Sequence, residues 1–157
     1  MHIIYIFKKT SMQDTNTEPS EAQITLLVNH FYASVRTDPL LAPVFESKVS
    51  DWAAHQKKMT GFWRSVLQGT KEYRGHLMAV HGRLPDMQPE HFKRWLDLFE
   101  QAIHETLEPA AMPYTQYIAQ RFSRALQLGL FGNAGQQRQT APLFVSPPSS
   151  AREVLPC

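Results

Sequence analysis

An all-α fold is predicted by three observations: apolar residues recur at helical spacing in four long segments, strand-like alternation is absent, and the segments are bounded by caps, glycines or prolines. The first helix opens at Ser20, which with Gln23 has the spacing of a capping box. Ile24, Leu27, Val28, Phe31 and Val35 then carry its apolar stripe to about Arg36. Asp38-Pro39 ends it, because the residue before a proline is pushed out of the helical region. Residues 39–45 are apolar but hold two prolines, so they predict a short helical turn or two. A second long helix is expected from about Asp51 to Leu67, with Trp52, His55, Met59, Phe62, Trp63 and Val66 on one side. Gly69 and Gly75 bracket a loop, and a short helix to about His81 is stopped by Gly82 and Pro85. Pro89 opens the next helix as a first-turn proline, with a stripe of Phe92, Trp95, Leu96, Phe99, Ile103 and Leu107. Pro109 and Pro113 separate it from the last helix, marked by Tyr117, Ile118, Phe122, Ala125, Leu126 and Leu130.

The ends read differently. Residues 1–19 form a flexible lead, 20–132 a single helical domain, and 133–157, rich in Gln, Ser, Pro and Thr, a disordered tail. Ile3 to Phe7 is apolar but too short for a membrane span, and Lys8-Lys9 follow it where a signal peptide would have them first. Translation from Met12 is an alternative start. Across 157 residues the net charge is +2 with both signs interspersed, which gives no basic patch for nucleic acid. The one cysteine, Cys157, excludes an intramolecular disulfide and thiolate ligation from the core. A cytoplasmic setting without a membrane partner is expected.

Seven histidines invite a metal reading. His30 and His104 lie beside their stripes and read as surface residues; His91, in the first turn of its helix, reads as a neutral surface residue. His55 stands with Met59, Phe62 and Val66 at i, i+4, i+7 and i+11, which makes it either a core histidine bonded to a carbonyl or a group serving a site. His81 ends a short helix one turn after Leu77 and Met78, and His76 competes with it as a ligand on the same segment. Glycine-rich phosphate loops, serine-nucleophile motifs and His-x-x-x-His or Cys-x-x-Cys pairs are absent. Carboxylates are too few on the apolar faces for a di-iron bundle. An aromatic-rich body with core-facing histidines on two helices is explained either by a flat apolar cofactor or by an ordinary aromatic bundle.

The ordered set of residues resembles a known family. Phe31-Tyr32, Val35-Arg36, Asp38-Pro39-Leu40 and Pro43-Val44-Phe45 are followed by Trp52-x-x-His55, Met59, Phe62-Trp63, Gly69 and Tyr73-x-Gly75. His81, Leu84-Pro85 and Phe92-x-x-Trp95-Leu96-x-Leu98-Phe99 complete a match over roughly residues 20–130. The set is similar to the group III truncated haemoglobins, and the glycine pairs typical of groups I and II are absent. The resemblance implies a shortened globin fold in which helices sandwich haem b. It aligns His81 with the proximal iron ligand, Phe45 with the phenylalanine stacked on the porphyrin, and Tyr32, His55 and Trp95 with the distal polar set. The residues expected to line the cofactor are Phe31, Phe45, Met59, Phe62, Trp63, Leu84 and Phe92. Leu77 departs from the family, which has proline four residues before the proximal histidine.

The implied function is binding of oxygen, nitric oxide or carbon monoxide. The phenol of Tyr32 and the indole of Trp95 are donors for a ligand with partial negative charge, and a hydrogen bond to a charged acceptor contributes about 1.5–3 kcal/mol. His55 gates, donates or ligates. The alternative is a redox enzyme turning over nitric oxide or peroxide at the same haem, with an external reductase as partner. A third reading is a haem-free helical interaction module, which the absence of a Soret band would reveal.

Overall fold

The computed structural model describes residues 17–76, 81, 82, 84 and 86–132. The lead over 1–16, Leu77, Pro85 and the tail over 133–157 lie outside the described residues. The described chain is helical, with α1 at Glu21–Val35, α2 at Ala42–Glu46, α3 at Trp52–Gln68, α4 at Pro89–Thr106 and α5 at Met112–Phe131. His81 also has helical backbone. Helix α1 packs on α3 and α4, and α5 packs on α4 and α3.

Local chemistry sets each boundary. The Ser20 hydroxyl accepts from the Gln23 N–H at 3.2 Å, and the Gln23 side chain accepts from the Ser20 N–H at 2.8 Å, so two end donors of α1 are satisfied reciprocally. The buried face of α1 is Ile24, Leu27, Val28, Phe31, Tyr32 and Val35. Asp51 caps α3 by accepting from the Ala54 N–H at 3.0 Å. Gly69 ends α3 with φ 69°, a left-handed conformation in which a Cβ would be strained. Pro89 stands in the first turn of α4, where the missing N–H has no helical partner to lose.

Two expectations shift. Pro109 and Pro113 do not both lie between helices: Pro109–Ala111 is a single 3₁₀ turn, and Pro113 belongs to the first turn of α5. Thr17 to Pro19, placed in the flexible lead, are joined to the body. The Thr17 N–H donates to the Ala110 carbonyl at 3.3 Å, and the Pro19 carbonyl accepts from Gln68 Nε2 at 2.9 Å. Both contacts are to distant parts of the chain, so no local pattern announces them.

A core of stacked rings joins α3 and α4. Trp63 stacks on Phe99 with centroids 4.5 Å apart, and Phe99 stacks on Trp95 at 5.1 Å and 7°. Phe31 meets this stack edge-on, 5.1 Å from Phe99 and 5.5 Å from Trp95. From α5, Phe122 closes against Phe62, Trp63 and Trp95 at 5.2, 5.7 and 5.7 Å. Such offset and edge-on pairs each contribute about 0.5–1.5 kcal/mol beyond area burial.

Two polar anchors hold the connections. Asp38, 4% exposed, accepts from the N–H groups of Leu40 and Leu41 at 3.0 and 2.9 Å and from Arg94 Nε of α4 at 2.6 Å. Burial alone would raise its pKa, but the Arg94 and backbone hydrogen bonds prevail and lower it. Ser65, fully buried, donates to the Gly61 carbonyl at 2.9 Å and accepts from the Tyr73 N–H at 3.0 Å, which ties the loop after α3 to the helix.

Asp38→Ala should destabilise the chain by about 2 kcal/mol, since two backbone donors at a buried corner lose their acceptor. Arg94→Ala should cost under ~1 kcal/mol, because the guanidinium is 45% exposed and its pairing is screened. Urea unfolding of both variants checks the order; an Arg94 effect as large as that of Asp38 would contradict it.

Candidate functional site

A mainly apolar cavity, open to solvent at its mouth, lies between α2, α3, α4 and α5. Tyr32 from the end of α1 and Leu41, Val44 and Phe45 from the proline-rich corner form one wall. Met59, Phe62 and Trp63 line it from α3, and Phe92 and Trp95 from α4. Phe122 and Leu126 line it from α5, while His81, Leu84, Met87 and His91 come from the loop and helix start on the remaining side.

The residues singled out in the sequence thus divide. Phe45, Met59, Phe62, Trp63, Leu84, Phe92, Tyr32, Trp95 and His81 all line the cavity. Phe31 does not. Residues 31 and 32 are consecutive, so their side chains leave the helix about 100° apart. Phe31 turns into the ring stack behind Tyr32 and Trp95, and Tyr32 takes the cavity wall. His55 does not line the cavity either. It is buried behind the wall, its ring 4.9 Å from that of Tyr32, 6.0 Å from Trp52 and 6.2 Å from Phe45. His76, the competing imidazole, is exposed and away from the cavity.

Sequence reasoning did not single out Leu41, Val44, Met87, His91, Phe122 and Leu126 as site residues. Phe122 and Leu126 were visible as a stripe on the last helix, but a stripe does not say which of its residues face a void and which face a neighbour. For His91 there was no signal, since its position in a first turn suggested solvent.

The imidazole of His81 is 5% exposed within a mainly apolar lining. Among the described residues no three His, Cys, Asp or Glu side chains gather where they could hold a metal ion. A macrocycle such as haem would supply the other ligands of a metal that His81 holds. The flat walls of Phe45, Phe92 and Trp63 suit such a disc. The residues present fit a haem.

His55 has its own electrostatics. Burial and, second, the nearby Lys58 charge push its pKa down to about 4, so the ring is neutral at physiological pH. Its buried Nε2 has no hydrogen-bond partner. Elsewhere His30 Nε2 lies 2.8 Å from Glu105 and His104 Nε2 3.0 Å from Gln116, both at the surface.

Comparison with known proteins agrees with this geometry. The bacterial-like globin family model matches residues 20–125. The group 3 truncated haemoglobin of Campylobacter jejuni is 30% identical over 115 residues, covering 68% of this chain and 91% of that one. A crystal structure of group III truncated haemoglobin from Campylobacter jejuni superposes with a TM-score of 0.69, covering 74% of this chain and 95% of that one. The fold is that of a globin. Within that class the chain belongs to the bacterial-like globin family, as a truncated haemoglobin of group III. The family implies a haem cofactor and the binding of diatomic gases at it.

Because the folded pKa of His55 lies below its unfolded value of 6.5, the unfolded chain binds the proton first on acidification. The associated stability is complete above pH 6.5 and is lost as pH falls toward 4, at no more than about 1.4 kcal/mol per unit. His55→Leu should flatten stability against pH across that window in urea unfolding. An unchanged slope would place the acid-sensitive group elsewhere.

Proposed function

We propose that this chain binds haem b in the cavity, with His81 as the proximal iron ligand, and takes up oxygen, nitric oxide or carbon monoxide on the opposite face. One observation carries the reading: a buried imidazole on the wall of an aromatic-lined cavity in a truncated globin fold. When bound, the haem would supply an iron able to bind the His81 imidazole and a diatomic molecule.

The chain's own groups do the rest. Phe45, Met59, Phe62, Trp63, Leu84 and Phe92 exclude water and hold the disc by contact with its faces. Tyr32 and Trp95 share the cavity wall and carry an O–H and an indole N–H, able to meet partial negative charge on a gas ligand. His55 is a positioning residue: its neutral ring packs edge-on against Tyr32 and limits the phenol's movement. Two donors of this kind favour retention of a ligand over its delivery. They also support the second reading, turnover of nitric oxide or peroxide with electrons from an external reductase. Turnover with a reductant, set against reversible binding alone, separates the two.

His81→Ala should abolish stable haem uptake or leave a site whose spectrum is restored by added imidazole. Retention of the wild-type spectrum in that variant, with loss in His76→Ala, would reverse the proximal assignment. Tyr32→Phe and Trp95→Phe should each speed oxygen dissociation more than carbon monoxide dissociation, since carbon monoxide carries less negative charge. The two should be non-additive, because they share one small acceptor. Stopped-flow rates of single and double variants test this; equal acceleration of both gases would indicate altered access instead of lost hydrogen bonds.

A further inference from the structure

The cavity contains a second imidazole, and the tautomer of its neutral ring is set by a helix cap. His91 is half-buried in the first turn of α4 and lines the cavity beside Met87 and Phe92. Its Nδ1 accepts a 3.0 Å hydrogen bond from the backbone N–H of Gln88, the residue before the helix. A ring nitrogen that accepts carries no proton, so the neutral ring holds its proton on Nε2. Nε2–H is a donor and has no free lone pair for a metal. Ligation through Nε2 would move the proton to Nδ1, set it against the Gln88 N–H, and leave that donor unpaired. Ligation through Nδ1 would break the cap outright.

The cavity's side chains with a polar group, among the described residues, are Tyr32, Trp63, Trp95, His81 and His91. The proposed function uses Tyr32, Trp95 and His81 at the iron, and Trp63 is buried in the ring stack against Phe99. His91 remains, half in contact with solvent, as haem carboxylates must be if their charge is to stay hydrated. We propose that His91 donates from Nε2 to a propionate carboxylate of the bound haem, and that the cap on Nδ1 withdraws it from competition with His81 for the iron. This rests on the haem reading above.

The test compares protohaem with its dimethyl ester, which has the same disc but no carboxylate charge. Wild type, His91→Leu and His91→Gln are loaded with each, and haem loss to excess apomyoglobin is timed. His91→Leu should lose protohaem about tenfold faster, as expected for a partly exposed hydrogen bond to a charged acceptor, and the ester no more than about twofold faster. His91→Gln, which keeps an N–H donor, should stay nearer wild type, and the ferric absorption spectrum should be unchanged in both variants. Equal acceleration of protohaem and ester loss would mean that His91 serves only the helix cap and packing, and would overturn the proposal. A change in axial ligation in His91→Leu would overturn it in favour of iron binding. A wild-type chain without a Soret band would remove the haem reading itself, and the proposal with it.

Discussion

The stack of Trp63, Phe99 and Trp95 is the constraint on which the rest of the interior depends. Protein interiors close on any space they can fill. A cavity persists only where its walls cannot move inward together. Here three rigid rings join α3 to α4, Phe31 butts against them edge-on, and Phe122 from α5 wedges the open side. Trp63, Trp95 and Phe122 each present a second surface to the cavity. The same rings therefore serve as core on one side and as lining on the other.

The remaining walls come from irregular chain, and buried polar groups hold them. The corner carrying Leu41, Val44 and Phe45 has no long helix to define it; Asp38 folds it by accepting two backbone N–H groups and reaches α4 through Arg94. Arg94 immediately precedes Trp95, so this contact ties one wall of the cavity to the helix that carries another. Ser65 acts similarly beyond α3, binding the Tyr73 N–H, while the Tyr73 ring packs 5.3 Å from Phe62. Such groups are stabilising only because each is satisfied; a buried carboxylate or hydroxyl without partners would disfavour the fold.

Histidine chemistry in this chain is decided by surroundings. His55 is kept neutral by burial and by Lys58, yet it stands behind the wall. His91 is turned into a donor by a single backbone N–H. His81 is buried in the cavity wall among apolar side chains. Three identical side chains therefore have three distinct capacities, and none follows from residue type.

What the sequence by itself determined was local. Caps at Ser20 and Asp51, the glycine stop at Gly69 and the proline start at Pro89 act within one helical turn, so they are legible without knowing where the helices go. The stripes likewise marked most of the buried residues, although Tyr117 of the last stripe is 44% exposed, and the ordered motif pointed to the family. Tertiary structure alone decided what each buried residue faces. Phe31 and Tyr32 are neighbours on one stripe, yet one fills the core and the other lines the cavity, because α4 covers the first and the Asp38 corner leaves the second open. His55 was legible as core-facing but not as lying behind Tyr32, and His91 read as surface although it lines the cavity. The physical reason is that helical periodicity encodes a direction from the axis, whereas a void is defined by side chains from several helices at once.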